Sequence, residues 1–193
     1  MKRFIINYYI KLSCILIKIF IQLKLKSFCA LILFFNLRKI KKIFYNKNGN
    51  KKKVIVLSKS GGIEDIYFAL NEKDTNNNLI FYELPRSLIK TIFIHFIEKE
   101  KYQDYYTFDY NEDVKYKKQL YKEFIYDVFK IIDKFWNFKA VISFNLFYYA
   151  ENDLPEPFQK LKKKFLVIHK ESVNSPEETI INLEVYKTKN KKF

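Results

Sequence analysis

From residue 4 to residue 44 the chain runs without a proline, a glycine or a carboxylate. Nothing there breaks a helix, and nothing balances its lysines. Asn7, Lys11, Lys18 and Gln22 follow one another by four, seven and four residues, so on a helix they share one narrow face, with Lys26 at its edge and Asn36 back in line. Nearly everything between them is Ile, Leu, Phe, Tyr or Cys. The spacing therefore predicts a basic amphipathic helix, or two helices broken near Ser27, with a thin polar seam and a wide apolar flank. Such a helix lies in the headgroup boundary of a bilayer, its lysine stems reaching toward phosphate.

A spanning helix is the poorer reading. The longest run without a charge is eleven residues, 27–37, against the roughly 20 that a crossing needs. A span from Ile10 to Phe35 would also carry Lys18, Lys24 and Lys26 in or near the hydrocarbon, at roughly 2.5–3.5 kcal/mol for a central charge. A cleaved leader fits no better, because the apolar run is interrupted and no small-residue cleavage site precedes a polar start. Packing of the segment on the domain or on a second copy is the alternative to lipid.

Charge separates this segment from the remainder. The first carboxylate is Glu64, and the fifteen Lys and Arg before it equal the net charge of +15, so the 21 bases that follow are matched by 21 acids. Lys11, Lys18, Lys26, Arg38, Lys39, Lys41 and Lys42 are the expected contacts with an anionic membrane surface. The sequence thus divides into a basic helical arm at 1–49, a body at 50–176 and a lysine-rich tail at 177–193. Cys14 and Cys29 stand fifteen residues apart in the arm without a CxxC pattern, and read as reduced thiols.

The body alternates strand and helix. VIVLS at Val54 is a β-branched run that ends in Ser58–Lys59–Ser60–Gly61–Gly62 before a helical pattern begins. LIFYEL near Leu79 is a second strand, followed by Pro85, Arg86 and a helical stretch. A long amphipathic helix is expected from Asp113 to Trp136, then a strand at Ala140, a helix over 154–163, and a strand FLVIH at Phe165. This alternation predicts an α/β fold: a Rossmann-like three-layer domain with a parallel sheet.

Ligands in such sheets sit beyond the carboxyl ends of the strands, which directs attention to four places: 58–62, 83–86, 144–149 and 169–171. Ser60, Gly61 and Gly62 could present backbone amides to an anion, although the pattern is neither a Walker A loop nor GxGxxG. His169, Lys170 and Glu171 put a base, a cation and a carboxylate on one strand end, a set suited to a polyol or a phosphate. On a strand at most two of the three face one pocket. His95 sits on an apolar helical surface and reads as a packed histidine. No metal-ligand spacing is present, and no cofactor is implied. The aromatics follow core periodicity and no RNP or GXXG pattern accompanies them, which argues against nucleic acid.

The stretch 139–172, KAVISFNLFYYAENDLPEPFQKLKKKFLVIHKES, resembles a segment of surface-polysaccharide glycosyltransferases of the GT-B type. FLVIHKES at Phe165 carries the likeness, with VIVLSKSGG at Val54 and LPRSLIK at Leu84 at the matching earlier turns. The resemblance implies the N-terminal Rossmann-like half of a two-domain enzyme, the half that receives the acceptor. It further implies Arg86 as a phosphate partner, His169 as a general base with Glu171 beside it, and Lys170 as a ligand contact. A lipid-linked saccharide would be the acceptor, presented at the cytoplasmic face of the inner membrane. A separate subunit would supply the donor-binding half, for which the chain has no room. Two further readings stay open: a membrane-tethered interaction module without activity, and an RNA binder that uses the basic arm.

Overall fold

The computed structural model describes residues 2–40, 51–58, 79–97, 112–144, 149–172 and 179–186. Within them the chain forms α1 (Lys2–Gln22), α2 (Lys26–Phe35), β1 (Arg38–Lys39), β2 (Lys52–Ser58), β3 (Leu79–Pro85), α3 (Arg86–Phe96), α4 (Glu112–Trp136), β4 (Phe138–Phe144), α5 (Tyr149–Asn152), α6 (Pro155–Lys160), β5 (Lys164–Ser172) and β6 (Thr179–Tyr186). The result is a mixed α/β fold on one six-stranded sheet ordered β1-β3-β2-β4-β5-β6. The four inner strands are parallel and both edges are antiparallel. After β3 the chain returns past β2 to place β4 on its other side, so the direction of winding reverses between β2 and β4.

Successive strand residues turn to opposite faces of the sheet, as the pleat requires, and both faces bury apolar side chains. Ile55, Leu57, Leu84, Phe165 and Val167 join the main core under the helices, whereas Val54, Val56, Phe81, Ala140, Ile142 and Ile168 form a smaller cluster on the opposite face. The ladder slips between Lys53 and Val54, whose partners are Phe138 and Ala140. That irregularity lets Phe138 share the helical face with Val141 despite the odd spacing between them. Phe138 then joins Phe129, Phe158 and Phe165 in a knot of rings, Phe129 to Phe158 at 4.8 Å and Phe158 stacked on Phe165 at 5.5 Å.

α4 follows its sequence pattern closely. Tyr121, Phe124, Ile125, Val128, Phe129 and Ile132 point inward, while Glu112 and Asp113 sit at its start and Lys134 at its end, in accord with the helix dipole. Three helices end on a left-handed residue that is not glycine: Lys24 at φ 58°, Asn137 at 48° and Lys162 at 58°. After α1, the Leu25 amide reaches Phe20 O at 2.8 Å and the Lys24 amide reaches Ile21 O at 2.9 Å, a Schellman turn with lysine at the glycine position. A chain with only 3 glycines places lysine and asparagine where glycine is usual.

Four expectations are revised by the packing. Residues 2–40 are no free arm: Ile17, Ile21, Cys29, Ala30 and Leu33 are buried in the same core as α3, α4 and the sheet. α1 lies on α3 and α2 on α4, and the segment then supplies β1, an edge strand opposite Tyr82 and Glu83. Inward-facing Ile and Leu at three- and four-residue spacing bury better against a domain than they do alone in water. Asn36 does not extend the polar seam. It is fully buried at the end of α2, where its Nδ2 donates to Ser13 Oγ at 3.0 Å and to Ile32 O at 2.8 Å, setting the register of the two helices. Finally, the segment 177–193 contains a strand, because β6 pairs with β5 from Ser172↔Thr179 to Phe165↔Tyr186. The expected helix over 154–163 is shorter, spanning Pro155–Lys160, with α5 before it.

Membership of the hairpin in the core has a direct test. Leu33→Ala should lower the unfolding free energy by about 2–5 kcal/mol, whereas Leu31→Ala, on the outer face of the same helix, should change it by less than about 0.5 kcal/mol. Urea denaturation of both variants checks this, and equal midpoints would show that α2 does not pack on the domain.

Candidate functional site

Two places hold the residues singled out by sequence: the carboxyl ends of the parallel strands, and the outer face of the helical hairpin.

At the first, β3 ends at Pro85 and α3 begins at Arg86, so the guanidinium is delivered to the strand ends. It meets Glu151 of α5, the Arg86 Nε donating to Glu151 Oε1 and the Nη2 to Oε2 at 3.0 Å. Glu151 is fully buried. Burial pushes its carboxyl above the ordinary carboxylate range, and the nearby Arg86 and Lys90 charges oppose that rise. Beneath this pair the Tyr121 hydroxyl donates to Ala150 O at 2.7 Å, and burial, with the carboxylates of Glu151 and Asp153 nearby, holds the phenol well above its usual value. Lys118 and Asp153 approach to 3.5 Å in the same nearly dry region. The rim is thus tied to α4 by a buried polar network rather than left open.

Arg86 lies where the sequence places it, and its fork is engaged by a carboxylate. A phosphate taking the same guanidinium would have to displace a bidentate partner. Glu151 was not singled out by sequence. The one signal was a carboxylate directly after the aromatic turn FYYA, which any exposed loop would also show. Ser60, Gly61 and Gly62 lie outside the described residues, as do Lys41 and Lys42. His169, Lys170 and Glu171 occur in β5, opposite Asn182, Ile181 and Ile180 of β6. The last pair between β4 and β5 is Phe144↔Ile168, so this run continues past the carboxyl end of β4. Among the described residues no cluster of three or more His, Cys, Asp or Glu could hold a metal ion.

His95, expected as a packed ring, is half-buried on α3 with Phe96 at 5.5 Å. Burial, reinforced by the Lys18 charge, holds its imidazole below the usual value. Cys29 is buried and its thiol is raised to about 11, which makes it inert. Cys14 is half-buried, its Sγ 4.0 Å from Ser87 O.

The second place is the outer face of the hairpin. Phe4, Ile5, Tyr8, Leu12, Ile15 and Ile19 of α1 and Leu23 just after it are exposed, as are Phe28, Leu31 and Phe35 of α2, with Phe4 at 78% and both Tyr8 and Phe35 at 67%. α1 is therefore apolar on two sides: Ile17 and Ile21 face the core, the Tyr8 row faces out, and Lys11, Lys18 and Gln22 make a seam along one flank. Lys26, another expected lipid contact, pairs with Asp127 of α4 at 2.6 Å. Arg38 and Lys39 stand in edge strand β1, the first half-buried and the second exposed. Residues Phe4–Gln22 are long and apolar enough to cross a membrane by length and composition, and only 17% of their most apolar window is buried, unlike a core helix. Between α1 and the start of α3 runs a mostly apolar groove of about 400 Å³, lined by Phe4, Asn7, Tyr8, Ile10, Lys11 and Ser87.

No protein-family model, curated protein or solved structure matches this chain.

The buried pair should reveal itself in stability. Arg86→Ala strands the Glu151 carboxyl and should cost about 3–5 kcal/mol, with Arg86→Met/Glu151→Leu recovering most of it. Because the folded chain holds the Glu151 proton more tightly than the unfolded chain does, its contribution is greatest in acid and declines as pH rises from about 4.5. Wild type should therefore lose ground relative to Glu151→Gln over that range in denaturation series at several pH values. A gain of wild type on Glu151→Gln as pH rises would contradict the buried placement.

Proposed function

We propose that the protein works at a membrane surface, with the α1–α2 hairpin lying in the headgroup region and holding the α/β domain against lipid. The observation that carries this reading is the outward row on α1, Phe4, Tyr8, Leu12, Ile15 and Ile19, with Leu23 just beyond its end, which stays exposed after the opposite face has entered the core. Contiguous apolar surface of that kind marks an interaction site on a soluble chain. The flanking Lys11 and Lys18 suit phosphate headgroups. The residues before Glu64 contain no carboxylate to repel an anionic leaflet. A peripheral placement keeps the α1–α3 packing, whereas a spanning α1 would abandon it and drag two lysines into hydrocarbon.

The finer reading is a glycosyltransferase-like protein of cell-surface polysaccharide synthesis that keeps the acceptor-side, Rossmann-like half. It is supported by the likeness of 139–172 to such enzymes and by the winding reversal between β2 and β4, where sheets of this class place ligands. The run from His169 to Glu171, continuing beyond β4, would border a lipid-linked saccharide at the cytoplasmic face of the inner membrane, and a separate subunit would bring the sugar donor. Commitment of Arg86 to Glu151 favours a second reading, a tethered module without turnover that recruits a partner. Sugar transfer from a nucleotide sugar to a lipid-linked saccharide separates the two.

The membrane claim is tested by flotation with vesicles containing phosphatidylglycerol. Full-length protein should float, and Tyr8→Ser/Leu12→Ser/Ile15→Ser/Ile19→Ser should stay at the bottom with an unchanged urea midpoint, since all four side chains are exposed. Equal flotation of the two would refute it.

A further inference from the structure

The inner strands of the sheet start at one end, and their registers bring a set of lysines together there. Lys52 lies opposite Leu79, Lys53 opposite Phe138, and Lys164 opposite Ala140. The last turn of α4, with Lys134, and the turn before β5, with Lys162, finish at the same end. Lys52, Lys134, Lys139, Lys162 and Lys164 are exposed, and none of them pairs with a carboxylate among the described residues. The nearby Asp133 is occupied by Lys163 at 2.6 Å. Lys53 donates to Trp136 O at 2.8 Å and stands 5.3 Å from the centre of that ring. Bases and acids balance from Glu64 onward, yet the fold gathers lysines from both sides of that point on one edge. Like charges gathered in this way repel one another, and an anion relieves the repulsion.

This edge also joins the apolar face of the hairpin. Trp136 lies 6.0 Å from Phe34 of α2, and Phe34 lies 5.0 Å from Phe135. Phe135 and the neighbouring Phe35 are 51% and 67% exposed. Lysines beside exposed aromatic rings are the composition of a protein surface that meets headgroups and the upper acyl region together.

We infer that the amino end of the sheet is a second bilayer contact, a site for the phosphates of anionic lipids that continues the apolar face of the hairpin. The inference rests on the membrane reading and adds to it a headgroup chemistry and a fixed orientation, because two separate contacts stop the domain from rolling about α1. Nucleic acid would satisfy the same charges but leaves the apolar row running on from Phe35 without a role.

Trp136 is the one tryptophan in the chain and sits inside this contact, so it reports on it directly. Full-length protein and Lys52→Gln/Lys134→Gln/Lys139→Gln/Lys164→Gln are titrated with phosphatidylcholine vesicles and with vesicles that also contain phosphatidylglycerol. Some lipids carry a headgroup nitroxide that quenches tryptophan. Wild type should bind the anionic vesicles at least about tenfold more tightly than the quadruple variant at low salt, a gap that narrows as salt rises. Both should bind neutral vesicles equally, and Trp136 should be quenched in bound wild type. Equal affinity of the two proteins for anionic vesicles, or an unquenched Trp136 in bound protein, overturns the inference and leaves the hairpin anchor intact. Failure of wild type to bind any vesicle overturns both. Binding of a single-stranded RNA oligonucleotide that the variant loses, while its affinity for anionic vesicles is unchanged, reassigns the cluster to nucleic acid and equally overturns the inference.

Discussion

Burial of one face of the α1–α2 hairpin against α3 and α4 is the constraint from which the other features follow. Ile17, Ile21, Cys29, Ala30 and Leu33 leave water together with Ile89, Phe93 and Ile125, and each buried aliphatic side chain is worth roughly 1.5–3 kcal/mol. The buried Asn36–Ser13 bond permits one register of the two helices. With the inner face fixed, the outer face has no freedom to turn inward, so its aromatic and aliphatic side chains remain in solvent. A helix that is apolar on both sides keeps one of them for a second apolar phase, and the occupant we propose is lipid, which its lysine seam suits.

The strand-end rim follows another logic. In a sheet that winds outward in both directions, the gap where winding reverses is the natural seat of a ligand. Here the nearest guanidinium, that of Arg86, is held by a buried carboxylate and backed by the Tyr121–Ala150 bond. Such a pair costs desolvation, and it makes α3 and α5 depend on each other's placement. The rim is therefore rigid at Arg86. Beyond Arg86, the described part of the rim continues in β5, whose residues His169 to Glu171 run past the last pairing with β4.

Much of this was legible in the sequence. The four parallel strands and α4 were marked by β-branched runs and by three- and four-residue apolar spacing, both local signals. The edges were not. β1 is two residues long, and β6 lies in a stretch whose lysines and glutamates read as a tail; each is a strand only because a neighbour offers its edge. The seam of Asn7, Lys11, Lys18 and Gln22 gave the polar flank of α1 correctly, but periodicity alone could not say that one of its two apolar flanks faces a protein. Asn36 shows the limit well: in line with the seam by count, it turns inward because α2 begins a new helical phase after the left-handed Lys24. The lysine-rich edge was invisible for a related reason. Its members are spread from Lys52 to Lys164, and only the strand registers collect them.

The account stands on α1 having a protein side and a lipid side at once. Nitroxide labels placed singly at positions 8 to 23, with oxygen accessibility read on anionic vesicles, test it most directly. The predicted result is a helical wave with maxima at Tyr8, Leu12, Ile15 and Ile19 and minima at Ser13, Ile17 and Ile21. Uniformly high accessibility would mean that α1 has left the domain for the bilayer, and a profile unchanged by vesicles would mean that it never meets lipid.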